Sequence, residues 1–117
     1  MIEKLRQQDC GEYKWIDDEG CSYKRKSDYL QQNILGFCGC GCPDSVMIYV
    51  SNFLQKLDNN EWGDYEDMPY MFLLYWADNN GYASHGTTIR CSWLTGKGKE
   101  LLEDINWCIE NENENYN

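Results

Sequence analysis

Residues 43–58 read PDSVMIYVSNFLQKLD, the most regular helical pattern in the chain. Pro43 suits the first position of a helix, which makes Cys42 the residue that caps it. Apolar side chains then recur three and four residues apart, as they do along one face of a helix. These side chains are Val46, Tyr49, Val50, Phe53, Leu54 and Leu57. The opposite face is polar and consists of Ser51, Asn52, Gln55 and Asp58. The stretch therefore predicts an amphipathic helix that is buried along one side.

Two further elements are predicted before this helix. Residues 11–24 alternate between apolar and polar around a turn at residues 17–20, which is typical of a β-hairpin. Ser27 is placed to cap a short helix that ends at Gly36. The apolar face of that helix consists of Leu30, Ile34 and Leu35.

Three elements are predicted after it. Residues 70–77 are apolar all round and favour a central buried helix, although so short a run also fits a buried strand. Residues 87–93 alternate as in a half-buried strand. The apolar face of that strand consists of Ile89, Cys91 and Trp93. Thr95 caps a last helix that runs to Ile109, and two glycines in its first turn weaken its start.

The order of these elements predicts the fold class. We expect an α+β fold, namely a small single domain of about four helices with a short antiparallel β-sheet. The domain spans residues 1–110, because a chain of 117 residues suits one hydrophobic core. Residues 111–117 form a polar, acidic tail that frays.

The charge balance disfavours several classes of function. Twenty acids against ten bases give a net charge of −10, which makes direct binding of nucleic acid unfavourable. The one compact basic cluster, Lys24-Arg25-Lys26, is interpreted as a solvated turn rather than an anion site. Residues 1–8 lack the apolar segment of a secretory signal, and no apolar run approaches the length of a membrane span. We therefore expect a cytoplasmic protein without a membrane partner, whose seven cysteines stay reduced.

Three cysteines alternate with glycines in the segment CGCGC, residues 38–42. Cys38, Cys40 and Cys42 could surround a soft cation, and His85 or Cys91 could complete a tetrahedral zinc site. The usual zinc spacing of two C-x₂₋₄-C pairs is absent, however, and a free cysteine also packs as a small apolar residue. Zinc is therefore an alternative, and inert packing is the favoured interpretation.

Cys42 also carries a redox or nucleophilic interpretation. A thiol at the first turn of a helix can have a lowered pKa, because the helix dipole stabilises the thiolate. A nucleophile needs a base beside it, and His85 is the single histidine of the chain. The favoured interpretation places His85 in an exposed turn between Gly81 and Gly86. With no complete catalytic constellation in the sequence, we expect a protein that is not an enzyme.

The segment that follows the first long helix combines carboxylates with two aromatic residues. It fails the pattern of a calcium-binding EF-hand loop, because Trp62 and Pro69 stand at two of the ligand positions. Carboxylates and rings together favour contact with a basic protein surface. The predicted partner-binding residues are Asp58, Glu61, Trp62, Asp64, Tyr65, Glu66 and Asp67.

Two resemblances add to this reading. The run WLTGKGKELL, residues 93–102, resembles the wing strand and last helix of winged-helix proteins, where an LTxxGxxLL pattern is frequent. The resemblance implies a winged-helix-like fold, but Lys56 and Arg90 are too few bases for DNA reading. The same run, together with Cys38-Gly39-Cys40-Gly41 and His85-Gly86, is similar to small accessory proteins of bacteriophages. That similarity implies a host bacterial cytoplasm.

The leading hypothesis is thus a small, acidic, non-enzymatic interaction protein encoded by a phage. It would bind and inhibit or modulate a host protein that handles nucleic acid or acts in defence. The alternatives are a zinc-binding structural module built on the cysteines and a thiol-redox protein that acts through Cys42.

Overall fold

The computed structural model describes residues 1–9, 11–36, 44–60, 68–87 and 91–112. These residues contain four α-helices and two small antiparallel sheets, so the predicted α+β class is confirmed. They group into two compact units, residues 1–48 with 104–117 and residues 49–103. The boundaries between the units fall inside two long helices. The single domain over 1–110 stays a prediction.

The first unit begins with a three-stranded antiparallel sheet. Its strands are β1 (Arg6–Gln7), β2 (Trp15–Ile16) and β3 (Ser22–Tyr23), in that order across the sheet. The pairing of Trp15 with Tyr23 confirms the predicted hairpin. Strand β1 has no periodic signal of its own, since it is two residues long and both are exposed.

A short helix follows the sheet. Helix α1 (Lys26–Tyr29) continues into a π-helical turn, Leu30–Ile34. The amide of Leu35 donates to the carbonyl of Leu30 over 2.8 Å, and this five-residue step places both leucines in the core. Ser27 was the predicted cap, and that prediction is wrong. Arg25 holds the N-cap position, and the amides of Lys26 and Ser27 donate to the carboxylate of Glu112.

Helix α2 (Asp44–Asp58) confirms the element predicted from its apolar spacing. Its proposed cap, Cys42, lies outside the described residues. Two residues lie on the face opposite to the one predicted for them: Tyr49 is exposed and Ser51 is buried. The buried stripe contains Met47, Val50, Leu54 and Leu57. Ser51 falls on that stripe because it stands four residues after Met47 and three before Leu54.

Helix α3 (Met68–Asn79) confirms a helix at residues 70–77 and excludes the strand. The expectation that it is buried on every side is wrong. Leu73, Leu74 and Ala77 are buried, whereas Phe72 and Tyr75 are half exposed. An all-apolar helix carries no pattern that marks which side meets solvent.

The second unit also holds a two-stranded sheet, β4 (Ala83–Ser84) and β5 (Trp93–Leu94), in which Ala83 pairs with Leu94. The strand predicted at 87–93 is thus mostly wrong where it is described. Cys91 lies before the strand, and Cys91 and Trp93 are exposed whereas Ser92 and Leu94 are buried. At residues 91–93 the observed faces are the reverse of the predicted ones, and Ile89 lies outside the described residues.

Helix α4 (Gly96–Glu112) ends the described chain. Thr95 caps it as predicted, because its Oγ1 accepts a hydrogen bond from the amide of Gly98 over 3.1 Å. The helix extends into the segment expected to fray, since Asn111 and Glu112 are helical. Glu112 is held there by its bonds to the amides that begin α1.

Candidate protein-interaction surface

The exposed aromatic face of helix α3 is the first candidate site. The side chains of Phe72 and Tyr75 are 52% and 53% exposed, and their spacing of three residues places them on one side of the helix. We call this pair the α3 aromatic face. Residues 68–79 contain one acid, Asp78, and no Lys or Arg. Two neighbouring exposed rings without a nearby base on their helix favour protein contact over plain hydration.

A rigid turn fixes the end of this helix. Gly81 adopts a φ of +80°, which glycine tolerates best, and its amide donates to the carbonyl of Asp78. The amide of Tyr82 donates to the carbonyl of Ala77 over 2.8 Å, which completes a Schellman motif. The rings of Trp76 and Tyr82 pack with centroids 5.2 Å apart. The α3 aromatic face therefore belongs to a helix with a well-defined C-terminal end.

Of the predicted partner-binding residues, the structure describes Asp58. It is the last residue of α2, its side chain is 34% exposed, and its Oδ1 lies 3.8 Å from Nζ of Lys99. An ion pair this exposed to solvent contributes little to the free energy of unfolding. The carboxylate of Asp58 can therefore exchange Lys99 for a base of another protein. The other six predicted residues lie outside the described residues: Glu61, Trp62, Asp64, Tyr65, Glu66 and Asp67.

His85 and Cys91 are the two proposed zinc ligands that the structure describes. Nδ1 of His85 lies 2.9 Å from Oδ1 of Asp78, and the His85 side chain is about one-third exposed. A neutral ring that donates from Nδ1 leaves Nε2 as an acceptor, which is how carboxylate-oriented histidines present themselves to zinc. Cys38, Cys40 and Cys42 lie outside the described residues. Cys91 is described and exposed.

The remaining ligands of a zinc site would have to come from elsewhere. Among the residues that the structure describes, no group of three or more His, Cys, Asp or Glu side chains is arranged to hold a metal ion. His85, oriented by its contact with Asp78, could supply one ligand of a zinc site. By itself it is an oriented base without a described nucleophile.

A small polar cavity lies beside the hairpin of the first unit. It measures about 220 Å³ and is lined by Lys4, Asp17, Asp18, Glu19, Tyr29 and Asn33. Burial alone would raise the pKa of Asp17, but hydrogen bonds from the Cys21 amide, the Tyr23 hydroxyl and the Glu19 amide together lower it. Burial, with three nearby acids, raises the pKa of Tyr29. Oδ1 of Asp17 accepts from the turn amides and Oδ2 accepts from the Tyr23 hydroxyl, so the carboxylate is structural.

Sequence reasoning missed the role of the basic cluster. Each of its three side chains has a partner in the chain itself. Nζ of Lys24 lies 3.4 Å from Glu12, Nη2 of Arg25 lies 3.1 Å from Asp28, and Lys26 contacts two indole rings. One of these rings, Trp107, lies on α4. Its contact with Lys26 could not be predicted from any local sequence pattern.

Comparisons with known proteins add no identity. The chain matches no protein-family model, no curated protein and no solved structure. In the part of the chain that the structure covers, no helix is long and apolar enough to cross a membrane. The likeness to phage accessory proteins and to winged-helix domains therefore stays a prediction from the sequence.

Proposed function

We propose that the chain is a small acidic interaction protein that docks on a basic surface of another protein through the α3 aromatic face. In this proposal it acts in a host bacterial cytoplasm as a phage accessory protein. Its partner is a protein that handles nucleic acid or acts in defence, and docking inhibits or modulates that partner.

The observation that carries the proposal is the exposure of Phe72 and Tyr75. Aromatic side chains supply most of the binding energy at many protein interfaces, because each buries a large apolar area with few rotatable bonds. Rings that are half exposed in the free protein still have that area to bury. They would form the apolar centre of the interface.

The charge of the chain selects the kind of partner. A net charge of −10 attracts basic surfaces, speeds association and disfavours acidic partners. Carboxylates spread over a small body can also occupy a channel built for phosphates. The acids of residues 58–67, among which Asp58 is described, would form the charged rim of the contact.

The experiment is a comparative capture from a bacterial lysate. The immobilised wild-type protein should retain basic proteins that high salt releases and that soluble duplex DNA displaces. The double variant Phe72→Ser/Tyr75→Ser should lose them. Tyr13→Ser should keep them, since Tyr13 is equally exposed but stands outside α3.

A second arm tests the acids. Charge reversal at Asp64, Glu66 and Asp67 should weaken the same captures. Equal retention by wild type and by the α3 variant would remove the α3 aromatic face from the proposal. If neither high salt nor duplex DNA releases the captured proteins, the proposed electrostatic attraction to a basic surface is wrong.

A zinc-binding module is the second candidate, favoured by the contact of His85 with Asp78. Protein purified reduced and without chelator should then contain about one zinc per chain by elemental analysis. His85→Gln should lower that content, and Cys38→Ser should do the same. A metal-free wild-type protein would contradict this candidate.

The thiol-redox alternative depends on Cys42. A Cys42 thiol that is alkylated only at the pH at which ordinary thiols react would contradict it.

A further inference from the structure

The side chain of Lys26 lies between two tryptophan rings. Its Nζ is 4.4 Å from the ring centroid of Trp15 and 4.7 Å from that of Trp107. Both distances are within the range over which a ring face attracts a cation. Trp15 begins β2, Lys26 begins α1 and Trp107 stands on α4, so three elements of the first unit build this arrangement. We call the two rings the indole cage.

Within the described ranges, no carboxylate lies at ion-pair distance from Lys26. Its neighbours in the basic cluster both have one: Lys24 pairs with Glu12 and Arg25 pairs with Asp28. In a chain with twice as many acids as bases, a lysine that contacts two rings and no described carboxylate is a specific arrangement. The indole cage thus binds a cation through its ring faces.

The backbone of Lys26 is anchored independently of its side chain. Its amide donates to Oε2 of Glu112 over 2.9 Å, and the next amide donates to Oε1 over the same distance. The ammonium can therefore leave the rings by rotation of its flexible stem while α1 stays in place. The cage is also reachable, because Trp107 is 39% exposed and Trp15 and Lys26 are half buried.

A primary ammonium is not the cation that such rings suit best. Lysine carries a compact, strongly hydrated charge, and indole faces cannot replace the hydrogen bonds that its N–H groups make in water. A methylated ammonium has fewer N–H groups to satisfy and presents apolar methyl groups to the rings. Aromatic cages recognise quaternary ammonium groups for this reason.

We infer that Trp15 and Trp107 form a binding site for a methylated ammonium group, and that Lys26 fills this site in the free protein as an internal competitor. The ligand is either a small quaternary amine or a methylated lysine of a protein. Because Lys26 occupies the rings, the apparent affinity equals the intrinsic affinity of the empty cage multiplied by the fraction of molecules in which the cage is empty. Removal of the Lys26 side chain should then strengthen binding.

The test is a titration with tetramethylammonium, followed by the indole N–H signals of Trp15 and Trp107 in NMR spectra. Lys26→Ala should give saturable shifts of both signals at a concentration at least about tenfold lower than wild type. Lys24→Ala is the matched control and should titrate like wild type. Trp107→Ala in the Lys26→Ala background should abolish the shift of the Trp15 signal.

A wild-type measurement makes the proposal independent of how that variant folds. Tetramethylammonium should speed acylation of the Lys26 amine by a small reagent, mapped by mass spectrometry, and should leave Lys24 unaffected. An unchanged rate at Lys26 would overturn the proposal, as would a folded Lys26→Ala protein without saturable shifts or with the affinity of wild type. Tighter binding of a trimethyllysine peptide than of tetramethylammonium would identify a protein ligand, and equal binding a small amine.

Discussion

The hydroxyl of Tyr23 donates a hydrogen bond to Oδ2 of Asp17 over 2.9 Å. The amides of Glu19 and Cys21 donate to the other oxygen of that carboxylate, each over 2.9 Å. Nδ2 of Asn33 donates in turn to the Tyr23 hydroxyl over 3.0 Å. A single carboxylate therefore closes the β2–β3 turn and connects the hairpin to the π-helical turn.

This network predicts a loss of stability in acid. The hydrogen bonds outweigh burial and hold the pKa of Asp17 below its ordinary value of 3.8. The stabilisation is complete above that value and is lost as the pH falls through the folded-state pKa. Asp17→Asn should therefore be less stable than wild type at neutral pH, and the difference should shrink as the pH falls below 3.8 and through the lower folded-state pKa.

Urea unfolding at several pH values measures this effect. Asp18→Asn is the matched control, because Asp18 is exposed and makes no hydrogen bond within the described residues. A gap between Asp17→Asn and wild type that stays constant down to low pH would show that the charge of Asp17 is irrelevant.

Gly98 should be irreplaceable where its neighbour Gly96 is not. A Cβ at residue 98 would collide with the carbonyl oxygen of Tyr82 and with the side chain of Leu94. At residue 96 a Cβ would meet nothing within 4 Å. Ala is the better helix former by about 1 kcal/mol at an interior position. Gly98→Ala should nevertheless destabilise the protein by about 1–3 kcal/mol, because the backbone of Tyr82 must move.

Gly96→Ala is the internal comparison and should be neutral or slightly stabilising. Thermal unfolding of the two variants side by side reports both values. A Gly98→Ala protein as stable as Gly96→Ala would mean that α4 does not approach Tyr82 as described.

Glu112 should stabilise the start of α1. Its carboxylate accepts hydrogen bonds from the amides of Lys26 and Ser27. It thereby replaces the side chain of a local N-cap residue, which usually satisfies the first amides of a helix. Glu112→Ala should cost about 1 kcal/mol of unfolding free energy, as the loss of a cap usually does. Glu110→Ala is the control, since Glu110 is exposed and lies on the same helix. Equal stabilities of the two variants in urea would contradict the capping role.

The contacts that sequence predicted are local ones. Helices α2 and α4 were predicted because apolar spacing and a capping threonine act within a few residues. The hairpin was predicted because its turn residues lie between its strands. The cap at α1 could not be predicted in this way, because its carboxylate comes from the far end of the chain.

Three features were harder to predict, each for its own reason. Helix α3 is apolar on every side, so its exposed face at Phe72 and Tyr75 follows only from what packs on the other face. Strand β5 is two residues long, and a pattern so short cannot fix which of its faces is buried. The indole cage depends on Trp107 meeting Lys26, a contact between segments far apart in sequence.

The three described cysteines should differ sharply in reactivity. Cys21 and Cys91 are exposed, whereas Cys108 is 1% exposed on the inner side of α4. Burial, with the carboxylates of Glu112 and Asp104 nearby, raises the pKa of the Cys108 thiol far above its ordinary value. The thiolate is the reactive form, so Cys108 is protected both by access and by its protonation state.

A short treatment of the folded protein with iodoacetamide at neutral pH, followed by peptide mapping, tests this difference. Cys21 and Cys91 should be modified and Cys108 should stay intact, then react fully once urea unfolds the chain. The variant Glu112→Ala is an intermediate case, because it removes the hydrogen bonds that join α4 to the start of α1 and also removes a carboxylate that raises the pKa of the Cys108 thiol. Both changes should make Cys108 of this variant label faster than that of wild type. Labelling of Cys108 in native wild-type protein at the rate of Cys21 would show that the last turns of α4 open far more often than their buried side chains imply.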